Sequence, residues 1–326
     1  MKWMCRVLSA LAGLIFAVHA SANAQDYPTR PVTIVVPYTP GGSTDIMARL
    51  IGQKLEERMG KPILIENRPG AGTAIGSTAV AKSAPDGYTL LMATPTPLAI
   101  NVTLHKSLPY DPATNFVPLV LIAQAPFVLI VNPSVPVKSV AELVKLAKEK
   151  PGQLTYGSGG PGSPHHLYAE LLKSMTGIQM THVPYKGTMP ALNDIMAGHI
   201  QVMFSDIPPA IGVIQAGKVR PLGVSIKARV AAFPDVPTIA ESGVPGFNVA
   251  GWFMLVAPAK TPAPIVAKLH GELKSIVATP EIKEQIVKLS LLPIATPSVA
   301  EMQTFVKSEI VRWGKVVQQA GIAYSE

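Results

Sequence analysis

Short β-rich runs alternate with amphipathic helical runs along nearly the whole chain, which predicts an α/β fold whose helices cover mainly parallel sheets. From Tyr27 onward the strand-like runs 32–36, 63–65 and 88–92 enclose the helical stretches 45–59 and 72–82. A longer apolar run, 119–131, stops at Asn132-Pro133, after which the rhythm restarts with a helix over 139–150, a strand near 154–156 and a helix over 164–175. It continues through strands at 178–183, 200–204 and 221–225, separated by helices over 189–197 and 208–215. A proline-punctuated stretch, 233–245, leads into a second long strand-like run, 247–256, and the ending is helical over 265–278, 280–289 and 299–320. Two α/β blocks joined by two long runs predict a hinged clamp. The expected boundaries place 25–124 and 251–326 in lobe 1 and 125–250 in lobe 2.

The first residues read as an export signal. Lys2 and Arg6 precede the apolar run 7–18 and then Ala22-Asn23-Ala24, the small-x-small pattern of a cleaved signal peptide over 1–24, cut after Ala24. A membrane span needs about 20 apolar residues, more than this run supplies, and no later run is long enough either. The single cysteine, Cys5, precedes the apolar run, so it cannot be a lipidated cysteine and it leaves with the signal. A chain this long buries a sufficient core without disulfides, so a periplasmic location fits. Without Lys2 and Arg6 the 28 basic residues fall to 26 against 20 acidic ones, a formal charge of +6. Scattered basic residues with few aromatics do not make a nucleic-acid surface; they give a mild bias toward anions.

Tyr38-Thr39-Pro40-Gly41-Gly42-Ser43-Thr44-Asp45 joins a strand to a helix. Its glycines allow close backbone approach, and the first amides of the helix are free donors for a carboxylate or phosphate. The competing reading is a plain turn capped by Ser43 or Thr44. No lysine follows the glycines, which disfavours a nucleotide P-loop. Asp45 would repel a bound carboxylate, so its expected role is to accept loop amide hydrogens and complement the helix dipole, or simply to pair with Arg49. In the second block, the segment from Tyr156 through Ser158 to Ser163-Pro164 opens a helix in the same manner, as does Ser205-Asp206-Ile207-Pro208. Together the three loops could grip both ends of a dianion without a buried arginine.

Enzyme signatures fit poorly. Neither Ser158 nor Ser163 has the flanking glycines of a nucleophile elbow. Gly70-Ala71-Gly72 lacks the acidic residue that a dinucleotide site needs on the next strand. His165 and His166 diverge on a helix and, with Glu170, lack a spaced third partner, so no metal is expected. Lys186 reads as an exposed turn lysine. Tyr38, Trp252 and Phe253 would suit stacking on an aromatic acid, or else pack the core or hinge.

Several further segments occur in order: YPTRPVTIVVPYTPGGSTDIMARLIGQKL, ENRPGAGTAIGS, APDGYTLLMAT, LPYDP, YGSGGPGSPHHL, VPYKGTMPAL, GKVRPLGV, FPDVPTIAESGVPGF and APAKTPAPIV. In these the chain resembles the Bug (TctC-like) family, the extracytoplasmic receptors of tripartite tricarboxylate transporters. The resemblance implies a two-lobed periplasmic-binding-protein type II fold, with the ligand cleft between lobes joined by two crossover strands. It also implies no catalysis and no cofactor. The ligand would be a di- or tricarboxylate or an aromatic carboxylate. The implied ligand contacts are Tyr38, Thr39, Gly41, Gly42, Ser43, Asp45, Thr94, Thr96, Ser158, Ser163, Tyr185 and Asp206. The implied partners are TctA-like and TctB-like membrane permease subunits, met by a monomer. Two departures are Asn101-Val102, where members commonly show Asn-Pro, and Phe253, where glycine often follows the tryptophan matching Trp252. A sensory receptor coupled to a two-component system, or a periplasmic hydrolase using Ser158 or Ser163 with a histidine, are the alternatives.

Overall fold

The computed structural model describes residues 27–325, so the expected signal peptide and its cut after Ala24 lie outside the described residues. The strands are β1 (Val32–Val36), β2 (Ile63–Asn67), β3 (Thr89–Ala93), β4 (Phe116–Ala125), β5 (Phe127–Val131) and β6 (Thr155–Ser158). They continue as β7 (Thr181–Pro184), β8 (Val202–Asp206), β9 (Arg220–Val224), β10 (Gly251–Pro258) and β11 (Leu292–Pro293). One sheet has the order β11-β4-β10-β3-β1-β2 and the other β7-β6-β8-β5-β9. Each sheet with its helices makes one lobe.

The sheets are mixed, which corrects the expectation of mainly parallel pairing. β1 is parallel to β2 and β3, and β6 to β7 and β8, whereas β10 is antiparallel to both β3 and β4, and β5 to both β8 and β9. The cause is the double crossing. β1, β3 and β4 run toward the junction of the lobes and β10 enters from it, so β10 must run against its neighbours; β5 does the same in the other sheet. The ends of β1, β3, β6 and β8 therefore converge on one cleft, where open α/β sheets place their ligands.

The apolar run 119–131 is two strands in two sheets, β4 and β5, divided at Pro126, which has no N–H to give to a ladder. The return path from β9 to β10 is tied to this first crossing by Ser225. Its hydroxyl accepts the Phe127 N–H at 2.9 Å and donates to the Val249 carbonyl at 2.7 Å. Its backbone pairs with the same two residues.

The helices, in chain order, are α1 (Ser43–Met59), α2 (Ala74–Ala81), α3 (Asn101–Leu104), α4 (Val140–Glu149), α5 (Pro164–Thr176) and α6 (Thr188–Ala197). They end with α7 (Ile207–Gln215), α8 (Ala263–Ala278), α9 (Pro280–Lys288) and α10 (Val299–Gln319). One feature the alternation did not announce is a buried π-helical turn, Thr96–Ile100, that runs directly into α3. α10 is stopped from fraying by a capping box between Ser298 and Glu301. It packs Trp313, fully buried, against Tyr168 of the second lobe with ring centroids 6.1 Å apart. Among the described residues no helix is long and apolar enough to cross a membrane.

Candidate ligand-binding cleft

The cleft is closed. Loop 39–43 of the first lobe meets residues 187–189 of the second so tightly that a Cβ added at Gly187 would lie 2.0 Å from Thr39 Oγ1. One added at Gly41 would lie 3.2 Å from Met189 Cγ. On the other side of the cleft, the Thr96 hydroxyl donates to the Gly162 carbonyl at 3.4 Å, a long bond between lobes.

Between these contacts lies a cavity of about 450 Å³, its solvent mouth included. The first lobe contributes Tyr38, Thr39, Gly42, Ser43 and Thr94; the second contributes His165, Thr188 and Asp206; the crossings contribute Phe127, Trp252 and Phe253. A second cavity, about 640 Å³ with its solvent mouth included, shares Tyr38 as a wall and is lined by Thr96, Ser163, Tyr185, Lys186 and the loops at 70–73 and 159–161. The Tyr38 hydroxyl shares a 2.7 Å hydrogen bond with Thr94 Oγ1, and burial pushes its pKa up to about 12. The phenol is therefore neutral at ordinary pH.

The start of α1 lacks the side-chain cap that the plain-turn reading of its loop expects. Gly42, not Ser43 or Thr44, occupies the N-cap position, and no side chain caps the helix. Ser43, 2 % exposed, keeps its hydroxyl buried without a hydrogen-bond partner, and Thr39 Oγ1 is in the same condition. An unsatisfied buried polar group costs about 1–3 kcal/mol, so a closed cleft holding these groups gains from an occupant that satisfies them. At the first turn of a helix, with free amides and a positive dipole end, the fitting occupant is an anion.

Of the expected contacts, Gly41, Asp45 and Ser158 line neither cavity. The Asp45 carboxylate accepts the Gly41 N–H at 3.0 Å, the Arg49 guanidinium at 3.0 and 3.1 Å, and Asn67 Nδ2 at 3.0 Å. Asn67 also donates to the Tyr38 carbonyl at 3.1 Å. Burial raises the Asp45 pKa, but these donors outweigh it and hold the carboxyl below the usual range. Both sequence readings of Asp45 therefore hold at once: it accepts a loop amide and pairs with Arg49, and so sets the loop's shape from behind.

Ser158 is fully buried, with its Oγ 2.6 Å from His182 Nε2 and bonded to Gly160. This serine–histidine pair resembles what a hydrolase would need, but neither residue reaches a cavity wall. His182 stacks on His166 at 4.0 Å between ring centroids, and burial drives its pKa down to about 3. Ser163 caps α5, accepting the His166 N–H at 3.4 Å while its hydroxyl donates to the Gly160 carbonyl at 2.6 Å. Tyr185 faces the second cavity with its hydroxyl given to Asp194 at 2.6 Å. Among the described residues no cluster of three metal-binding side chains occurs.

Sequence reasoning misses His165 and Thr188 as site residues. Both cap the Asp206 carboxylate inside the first cavity: His165 Nε2 lies 3.0 Å from Oδ2, and the Thr188 hydroxyl donates to the same oxygen. Burial pushes the Asp206 carboxyl upward, but His165 and Thr188 outweigh it and keep it below the usual range. Ser43 lies near enough to favour the ionised form without completing a hydrogen bond. The available signal is position: His165 is the second residue of a helix that begins directly after a glycine-rich loop.

Gly42 offers a direct check on the loop. A Cβ there would lie 3.4 Å from Thr188 Oγ1, so the branches of valine must enter the space between lobes. Gly42→Val is expected to weaken carboxylate binding more than about tenfold, or 1.4 kcal/mol, while thermal unfolding moves by only a few degrees. Unchanged affinity by calorimetry would remove the loop from the binding site.

Known proteins resemble this chain in sequence and in fold. Residues 47–322 match the family model described as Tripartite tricarboxylate transporter family receptor. Protein BugT of Bordetella pertussis is 36 % identical over 323 residues, covering 98 % of each chain. Among solved structures, Rpa4515 of R. palustris with adipate superposes with a TM-score of 0.88 at 41 % identity, covering 91 % of this chain and 99 % of that one. MatC (Rpa3494) from Rhodopseudomonas palustris with bound malate gives 0.84 at 34 % identity, covering 89 % and 100 %.

Proposed function

Since the chain belongs to the tripartite tricarboxylate transporter receptor family, we propose that it captures a small organic carboxylate in the periplasm and hands it, unchanged, to a TctA-like and TctB-like permease pair. The observation that carries this reading is the buried, unpartnered Ser43 hydroxyl at the open amino end of α1, inside a closed cleft. The adipate and malate held by the two similar structures support the same ligand class.

In this reading one ligand carboxylate meets the backbone amides of Gly42 and Ser43, in a loop whose shape Asp45 and Asn67 maintain. The apolar body of the ligand lies against Phe127, Trp252 and Phe253, which favours longer aliphatic or aromatic acids over the smallest ones. The lobes, 25–124 with 251–326 and 125–250, rotate about the paired crossings that Ser225 ties together, and the protein works as a monomer.

A thermal-shift and calorimetric screen of residues 25–326 against aliphatic and aromatic carboxylates tests the proposal. Micromolar or tighter binding of at least one acid, recovered chemically intact after long incubation, is the expected result. Silence across the panel, or turnover of the bound acid, overturns it.

A further inference from the structure

The first cavity pairs an anion-binding helix start with an acidic side chain from the opposite lobe. Asp206 ends β8 and is the one acidic residue in that cavity wall, where no lysine or arginine stands among the described residues. It is 8 % exposed, and burial by itself would raise its pKa; the attraction of His165 and the Thr188 hydroxyl hold it below the usual range instead. The group is therefore a pure acceptor, with no proton to give.

Its two oxygens are not alike. Oδ2 is taken, by His165 Nε2 at 3.0 Å and by the Thr188 hydroxyl. Oδ1 accepts no hydrogen bond among the described residues, and although Asp206 stands at the N-cap of α7, its side chain does not cap that helix. Nor is Oδ1 sealed away, as the unpartnered oxygens of Thr39 and Ser43 are. The side chain keeps 11 % of its surface, on the cavity wall. With His165 itself held edge-on by Phe127 at 5.2 Å, the carboxylate is fixed with one oxygen engaged and the other open to the ligand space.

The rest of the wall offers little competition. The Trp252 indole N–H is given to Glu309, the Thr94 hydroxyl is shared with Tyr38, and Phe127 and Phe253 have no polar side-chain atom. Ser43, where the ligand carboxylate is placed above, lies close to Asp206 across the cleft. Two carboxylates brought this near repel each other unless a donor stands between them. The group that can stand there is a substituent on the carbon that bears the ligand carboxylate.

We propose that Asp206 Oδ1 accepts a hydrogen bond from a hydroxyl or ammonium group on carbon 2 of the ligand, which makes 2-hydroxy and 2-amino carboxylates the preferred class. The proposal rests on the carboxylate reading above and adds to it the chemistry beside that carboxylate. Phe127, Trp252 and Phe253 receive the remainder of the molecule.

Calorimetry of residues 25–326 with three sets of acids tests this, each set a parent with its 2-hydroxy and 2-amino forms: succinate, malate and aspartate; adipate, 2-hydroxyadipate and 2-aminoadipate; phenylacetate, mandelate and phenylglycine. In the set that binds most tightly, at least one substituted acid is expected to bind the wild type at least about tenfold more tightly than its parent. Asp206→Asn removes the charge, so its preference is expected to shrink to within about threefold, with the parent acid bound more tightly than by the wild type. A wild-type preference for the 2-amino form alone supports the proposal and identifies an ammonium; one that includes the 2-hydroxy form supports it and shows that a neutral donor suffices. A parent acid bound as tightly as both its substituted forms, or a full wild-type preference in Asp206→Asn, overturns the proposal while leaving the carboxylate reading intact. Should the variant not fold, the wild-type comparison decides alone. A wild type that binds none of these acids overturns both.

Discussion

Gly187→Ala is expected to raise the Kd for a carboxylate ligand by at least about 100-fold, equivalent to 2.7 kcal/mol, in a protein that still folds. Gly187 stands at φ 150° and ψ −177°, at the amino end of α6, in a region that side chains other than hydrogen rarely occupy. That backbone strain costs about 1–3 kcal/mol, which lowers the unfolding temperature by several degrees. The larger consequence lies across the cleft. The new Cβ would be 2.0 Å from Thr39 Oγ1 and 3.1 Å from Thr39 Cβ, so it strikes the stiff, branched base of a side chain on the ligand loop. The lobes are pushed apart, and the ligand loses its grip from one side. Gly162→Ala is the informative contrast. Its Cβ would come within 2.1 Å of Leu104 Cδ2, the far end of a side chain rather than its branched base, though that leucine is packed in the core. Binding should fall less there than at Gly187. Calorimetry gives the affinities, and solution scattering with saturating ligand reads closure; a Gly187→Ala protein that closes and binds like the wild type would disprove the closure geometry.

The second large effect concerns stability. Glu309, on α10 and 5 % exposed, accepts the Trp252 indole N–H at 2.7 Å and the Trp313 indole N–H at 2.8 Å, and pairs with Arg312 at 3.0 Å. One carboxylate thus satisfies two buried donors, one on the crossing strand β10 and one on α10. Glu309→Leu strands both indoles, at about 1–3 kcal/mol each, and unpairs Arg312. A combined loss of about 2–6 kcal/mol follows, seen as a fall in the denaturation midpoint with little change in slope. Glu309→Gln keeps an acceptor oxygen and should recover part of the loss. Trp252→Phe removes one stranded donor and should cost less in the Glu309→Leu background than in the wild type. An unfolding midpoint for Glu309→Leu equal to that of the wild type would refute the account. Trp252 also lines the ligand cavity, so the variant should bind more weakly as well.

These residues differ in how far the sequence reveals them. Ser43 is visible as part of a strand, a glycine pair and a helix start, a junction whose free amides suit an anion but which local chain chemistry alone does not separate from a capped turn. Whether its hydroxyl caps the helix is a question of rotamer and neighbours. Only the packed structure, with Gly42 at the N-cap, answers it. Ser158 and Ser163 look alike as helix-start serines, yet Ser158 is drawn under the loop by His182 while Ser163 stays at a cavity wall. His182 is 24 residues from Ser158 in sequence, and nothing local announces the contact. In sequence His165 reads, with His166, as half of an implausible metal pair. The divergence of neighbours on a helix, which removes the metal, is the same fact that sends one ring to Asp206 and the other into the stack.

By itself the sequence determined the order of strands and helices, the three loops that open helices at strand ends, and the family to which the chain belongs. The first two follow from short-range rules, apolar periodicity, glycine at strained dihedrals and serine or proline at helix starts, and the third from the segments shared with the family. The tertiary structure decided that the 119–131 run divides between two sheets and that β10 returns antiparallel. It also decided that Asp206 is ionised against His165, and that Gly187 is pressed against Thr39. Each of these joins residues far apart in the chain. Their energies come from burial, desolvation and contact across the cleft, which exist only once both lobes have folded and closed.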